Sequence, residues 1–125
     1  MAKVIQTNQA PAAVGPYSQA IDCGEFLFCS GQIPLVPETG VIVEGGIEEQ
    51  ARQMFSNIKA VLNAAGLDFS NVVKTTVFMT DLSQFATFNG IYAEYFPANP
   101  PARSCVEVYN LPKGALVECE VIAKR

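Results

Sequence analysis

Val72-Val73-Lys74-Thr75-Thr76-Val77-Phe78-Met79 is the strongest strand pattern in the chain, because β-branched and aromatic side chains suit a pleated, half-buried surface. On both sides of it the hydrophobic period changes from that of a strand to that of a helix. Upstream, Ile47, Ala51, Met54, Phe55, Ile58, Val61, Leu62 and Ala65 recur at helical spacing with polar residues between them, which predicts an amphipathic helix packed on a sheet. Glu48 and Glu49 stand in its first turn, where the helix dipole favours acids. Glu48 and Arg52 are an i,i+4 pair, and Gly66 is placed as a C-terminal cap. Downstream, Asp81-Leu82-Ser83-Gln84 reads as a capping box opening a second helix, whose stripe of Phe85, Phe88, Tyr92 and Phe96 ends before Pro97. Asn89 lies on that apolar stripe. Burying its amide without a partner costs on the order of 1–3 kcal/mol, so it either caps a backbone group or faces a polar cavity.

Farther out, Lys3–Ile5 allows a short strand, and 20–23 and 26–30 form a hairpin about Gly24-Glu25. Ser30 ends the second of these just before Gly31, where a backbone can approach a ligand; a plain strand-ending turn explains the pair equally. Residues 33–46, with Pro34, Pro37, Gly40, Gly45 and Gly46, are a loop with one extended piece at 41–43. In Pro101-Ala102-Arg103-Ser104-Cys105-Val106-Glu107-Val108, strand alternation sends Arg103, Cys105 and Glu107 to one face and Ser104 and Val106 to the other. In the last strand, 116–123, Glu118 and Glu120 share a face ~7 Å apart. An antiparallel hairpin of these two strands would bring one carboxylate to Arg103 or Cys105. The plain alternative is a cross-strand ion pair, contributing about 0.2–1 kcal/mol. The order β-β-(β)-α-β-α-β-β describes one α+β domain over 1–125, a length that closes a single core.

Charged residues make up only 16% of the chain, a light cover that favours a homo-oligomer hiding apolar surface. The net charge is −4 and the eight Lys and Arg residues are scattered, so no nucleic-acid partner is expected. Nor is a membrane. Cys23, Cys29, Cys105 and Cys119 stand singly, without a Cys-x-x-Cys pair or a signal segment, which fits free thiols in the cytoplasm, while the even count also permits two disulfides. Histidine is absent, which excludes Ser-His-Asp and Cys-His catalysis and any His-bearing zinc site. No metal or cofactor is expected. Tyr17, behind Gly15-Pro16, is a packing residue or the wall of a pocket.

Gly15-Pro16-Tyr17-Ser18-Gln19, Ser30-Gly31-Gln32-Ile33-Pro34, and Pro101-Ala102-Arg103-Ser104-Cys105-Val106 with Glu118 downstream together resemble the Rid family, also called YjgF, over essentially the whole chain. Within it the chain is most similar to the RidA type of enamine/imine deaminase. The resemblance implies a chorismate-mutase-like α+β fold, a mixed sheet with two helices on one face, assembled as a homotrimer with clefts between subunits. It also implies a hydrolase that converts 2-iminopropanoate and 2-iminobutanoate, released by pyridoxal-phosphate dehydratases, to 2-oxo acids and ammonia. On that reading Arg103 holds the substrate carboxylate by a bidentate fork, and Glu118 takes and returns protons. Cys105 lines the site, since no His activates its thiol, although Arg103 leaves a reactive thiol open. Tyr17, Ser30, Gly31, Asn89 and Ser104 complete the substrate-binding set, Asn89 from across a subunit boundary. Two other functions stay open: a regulatory module binding a small carboxylate without turnover, and an RNA-directed translation inhibitor.

Overall fold

Six segments form strands, and the computed structural model, which describes residues 2–125, joins all six in one sheet. The strands are β1 (Lys3–Ile5), β2 (Ala20–Asp22), β3 (Phe26–Cys29), β4 (Val72–Met79), β5 (Ala102–Glu107) and β6 (Val117–Lys124). Helix α1 spans Ile47–Ala64 and α2 spans Phe85–Tyr95. Segment 41–43 contributes one isolated bridge, Leu35 to Ile42. Gly66 adopts the left-handed φ of 77° expected of the residue that ends α1. Asp81 accepts a hydrogen bond from the Ser83 N–H and opens a short 3-10 turn ahead of α2. Arg52 lies 3.9 Å from Glu48, but its closer partner is Glu94 on α2, gripped through two hydrogen bonds of 2.9 and 3.1 Å.

The sheet order is β1-β2-β3-β6-β4-β5, with only β4 and β5 parallel. The hairpin considered for the last two strands is therefore not formed. A parallel pair needs a crossover, and α2 supplies it, carrying the chain from the end of β4 to the sheet edge beyond it. β6 then pairs with the other edge of β4 and with β3. β4 thus separates Arg103 from Glu118.

Both helices cover one face of the sheet. Val77, Met79, Val117, Cys119, Val121 and Ala123 point into them, against Met54, Phe55, Ile58, Val61 and Leu62 of α1. Phe55 sits where α1 crosses α2, its ring 4.3 Å from that of Tyr95, and burying a side chain of this size contributes about 1.5–3 kcal/mol. The opposite face has no such cover: Val4, Phe26, Phe28 and Val106 on it are exposed, Phe28 at 46%. Buried amides hold the long loops in place. Gln19 accepts from Thr7 N–H and donates to the carbonyls of Thr7 and Pro11, while Asn57 donates to those of Ile33 and Leu35. All four cysteines are free thiols. Among the described residues no helix is long and apolar enough to cross a membrane.

Candidate active site

Register assigns the candidate side chains of β5 and β6 to faces. Thr75 pairs with Arg103 on one side and Val121 on the other, and its hydroxyl hydrogen-bonds Tyr92 of α2 at 2.8 Å. Arg103 therefore lies on the helix face. Cys105, opposite Val77, shares it. Phe78 pairs with both Val106 and Glu118, so Glu118 lies on the uncovered face, as does Ser104 opposite Thr76. The two groups assigned to the chemistry, Arg103 and Glu118, stand on opposite sides of their own sheet.

On the helix face, the stripe of α2 forms a seat for the guanidinium. Arg103 donates to Asn89 Oδ1 at 2.7 Å, and its Cζ lies 4.6 Å from the Tyr92 ring centroid and 5.3 Å from that of Phe85. Asn89 thus answers the guanidinium of its own chain, the Arg103 side chain reaching from β5 to α2. Among the described residues Arg103 has no carboxylate within ion-pair distance, so the cross-strand pair weighed from the sequence is absent. Its remaining N–H donors border a hollow of about 540 Å³ formed with Tyr92, Ala93, Phe96, Pro100 and Pro101. Burial raises the Cys105 thiol above its usual range and the Arg103 charge offsets this only in part, so the thiol stays protonated near neutrality.

On the other face, Tyr17, Cys29, Ser30, Gly31, Lys113, Glu118 and Glu120 border a hollow of about 570 Å³. Tyr17 is half exposed there. The Ser30 hydroxyl donates to Ser18 C=O at 2.6 Å and so ties the Tyr17 loop to the end of β3. Glu118 is half-buried and, among the described residues, has neither a hydrogen-bond nor an ion-pair partner. Its pKa is raised, first by burial and then by the neighbouring Glu120 charge. A partnerless carboxylate that holds its proton more tightly than usual is what a proton-handling group requires.

Sequence reading placed Phe85 and Tyr92 on the apolar stripe of the second helix and missed their contact with Arg103, although Asn89 on that stripe was the signal. Lys113 was missed altogether. It stands in the left-handed region at φ 57°, a costly backbone for a non-glycine residue, at the rim of the Glu118 hollow. Among the described residues no group of three or more His, Cys, Asp or Glu side chains is placed to hold a metal ion.

A family model described as Endoribonuclease L-PSP matches residues 7–125. The chain belongs to this family, the Rid or YjgF proteins. Among relatives of this Rid chain, the 2-iminobutanoate/2-iminopropanoate deaminase of Salmonella typhimurium is 51% identical over 128 residues, covering 100% of this chain and 99% of that protein. A RutC family protein of Pyrococcus horikoshii is 54% identical over 123 residues, 98% of each chain. The crystal structure of E. coli TdcF with bound serine matches this Rid chain with a TM-score of 0.94 at 48% identity, covering 98% of both. The α+β architecture, two helices on a mixed six-stranded sheet, is that of Rid proteins of known structure.

Proposed function

We propose that this chain is a 2-imino acid deaminase, hydrolysing 2-iminopropanoate and 2-iminobutanoate to the 2-oxo acid and ammonia. One observation carries the reading: a guanidinium seated on aromatic rings with donors to spare, and a partnerless carboxylate of raised pKa, occur on opposite faces of one sheet. They meet only if the Arg103 face of one copy closes on the Glu118 face of another. A homotrimer with a site at each boundary satisfies that requirement and covers the apolar surface around Phe28 and Val106. The deaminase relative at 51% identity supports the same chemistry.

In this site Arg103 holds the substrate carboxylate by two parallel charge-assisted hydrogen bonds while Asn89 keeps the guanidinium plane fixed. Ionised Glu118 takes a proton from water as the water oxygen bonds to C2 of the imine. The C=N π pair moves to nitrogen and Glu118 passes it the proton taken from water, giving the carbinolamine. Glu118 then takes the hydroxyl proton as the C=O bond forms and hands it to the amine nitrogen as the C–N bond breaks, so ammonia departs and the 2-oxo acid remains. Cys105 and Tyr17 are walls of the site, and Ser30 and Gly31 shape the half that carries Glu118. Ser104 turns its side chain away from Arg103, to the face that carries Glu118.

The serine bound to TdcF favours a second reading, a receptor for small carboxylates without turnover. An RNA-cutting role, which the family description names, meets a chain of net charge −4. The test couples the protein to a threonine dehydratase and follows loss of the imine. Wild type accelerates that loss and Arg103→Ala does not; no acceleration by wild type, or full activity in Arg103→Ala, rejects the reading. The receptor reading instead requires 2-oxobutanoate binding by calorimetry with no turnover at all.

A further inference from the structure

Gly31 has no conformational need to be glycine. It is not among the residues with positive φ, so an alanine backbone fits there. What it lacks is room. A Cβ built on Gly31 lies 2.2 Å from Glu118 Oε2, 3.0 Å from its Cδ and 3.2 Å from its Cγ, so the carboxylate rests in the space a side chain would occupy. The flanking backbone is pinned. Ser30 N–H donates to Gln19 C=O at 3.0 Å, Gln32 N–H donates to Cys119 C=O at 2.9 Å, and Cys119 N–H returns a bond to Gln32 C=O at 3.2 Å. The movable partner in any clash is therefore the Glu118 side chain, whose oxygens no other group holds.

We propose that Gly31 is a positioning residue for Glu118: its missing side chain is the recess that seats the carboxylate, and a methyl group at position 31 drives the carboxylate out of its reacting place. The inference rests on Glu118 being the proton-handling group. It makes Gly31 a determinant of where the proton is held, not merely a lining of the substrate site. The other titratable groups around the same hollow are Glu120 on the same strand, Lys113 on the preceding loop, Tyr17 on the N-terminal loop and Cys29 at the end of β3.

The experiment is a carboxyl carbon-13 NMR titration of Glu118 in wild type and Gly31→Ala, assigned with Glu118→Gln, beside imine-hydrolysis kinetics. In Gly31→Ala the displaced carboxylate moves into solvent and loses burial, so its titration shifts to lower pH. At the same time kcat falls on the order of 100-fold while KM, governed by Arg103, stays within about threefold. An unchanged titration overturns the inference, and so does a shifted titration with wild-type kcat. A rise in KM alone also overturns it, because that is the mark of a backbone contact to substrate. If Gly31→Ala folds poorly, Gly31→Ala/Glu118→Ala regains wild-type thermal stability when the carboxylate is what the methyl meets; failure to regain it overturns the inference. A wild type without imine hydrolysis rejects the deaminase reading but leaves the titration arm to judge the seat.

Discussion

Mixing two inactive variants tests whether the site lies between copies. Take Arg103→Ala, which keeps Glu118, and Glu118→Gln, which keeps Arg103. Each alone loses a group that every site needs, and losing a general acid–base group alone costs about 10²–10⁴-fold. Because Arg103 and Glu118 project from opposite faces of one sheet, the proposed site takes the first from one chain and the second from its neighbour. In a ring assembled at random from equal amounts of the two variants, a given boundary receives an intact Arg103 with a chance of one half and an intact Glu118 with a chance of one half. About a quarter of all sites are then complete. The assay refolds the variants together from denaturant, or purifies doubly tagged rings from co-expression, and measures hydrolysis per site against wild type. Recovery to about a quarter of wild-type activity is expected, at least tenfold above either parent. Activity that stays at the parental level in demonstrably mixed rings refutes the reasoning, since a site built within one chain has no complete copy in any mixture.

Asn89→Ala removes the 2.7 Å partner of Arg103, and a hydrogen bond to a charged group contributes about 1.5–3 kcal/mol, so steady-state kinetics should show KM raised by about tenfold or more with little change in kcat. Glu120→Gln removes the negative charge that helps hold the proton on Glu118. Ionisation of Glu118 becomes easier, so the acidic limb of the kcat–pH profile should move to lower pH; a limb that stays, or moves up, contradicts the assignment. Tyr92→Phe strands the buried Thr75 hydroxyl, at a cost of about 1–3 kcal/mol, which urea denaturation should register as a lower midpoint at unchanged slope.

The layout of elements was legible because each carries its own local cause. The period of the Ile47–Ala65 stripe, the β-branched run 72–79, Gly66 after the helix and Asp81 before the next one are short-range features, and the structure places an element boundary within a residue or two of each. Pairing was not legible in the same way. Whether β6 lies beside β5 or beside β4 depends on where α2 carries the chain, and nothing within 102–107 or 117–124 encodes that choice. The guanidinium seat shows the same limit. Asn89 was visible as a polar group on an apolar stripe, yet the identity of its partner required the crossover that sets α2 against β5.

For the candidate site, local sequence was enough to nominate the chemistry. The motif around Arg103, with Glu118 downstream, carried the family resemblance that implied both roles, and the absence of histidine fits a carboxylate as the proton-handling group. Alternation along each strand also settled which side chains keep company on that strand. The relation between strands belongs to the fold, because a face is defined only once neighbours are in register. Inserting β4 between β5 and β6 turned Arg103 and Glu118 away from each other, and folding Gln32 back onto Cys119 laid the Glu118 carboxylate against Gly31. Local motifs nominated the two groups, whereas long-range pairing decided that they stand on opposite faces of one sheet.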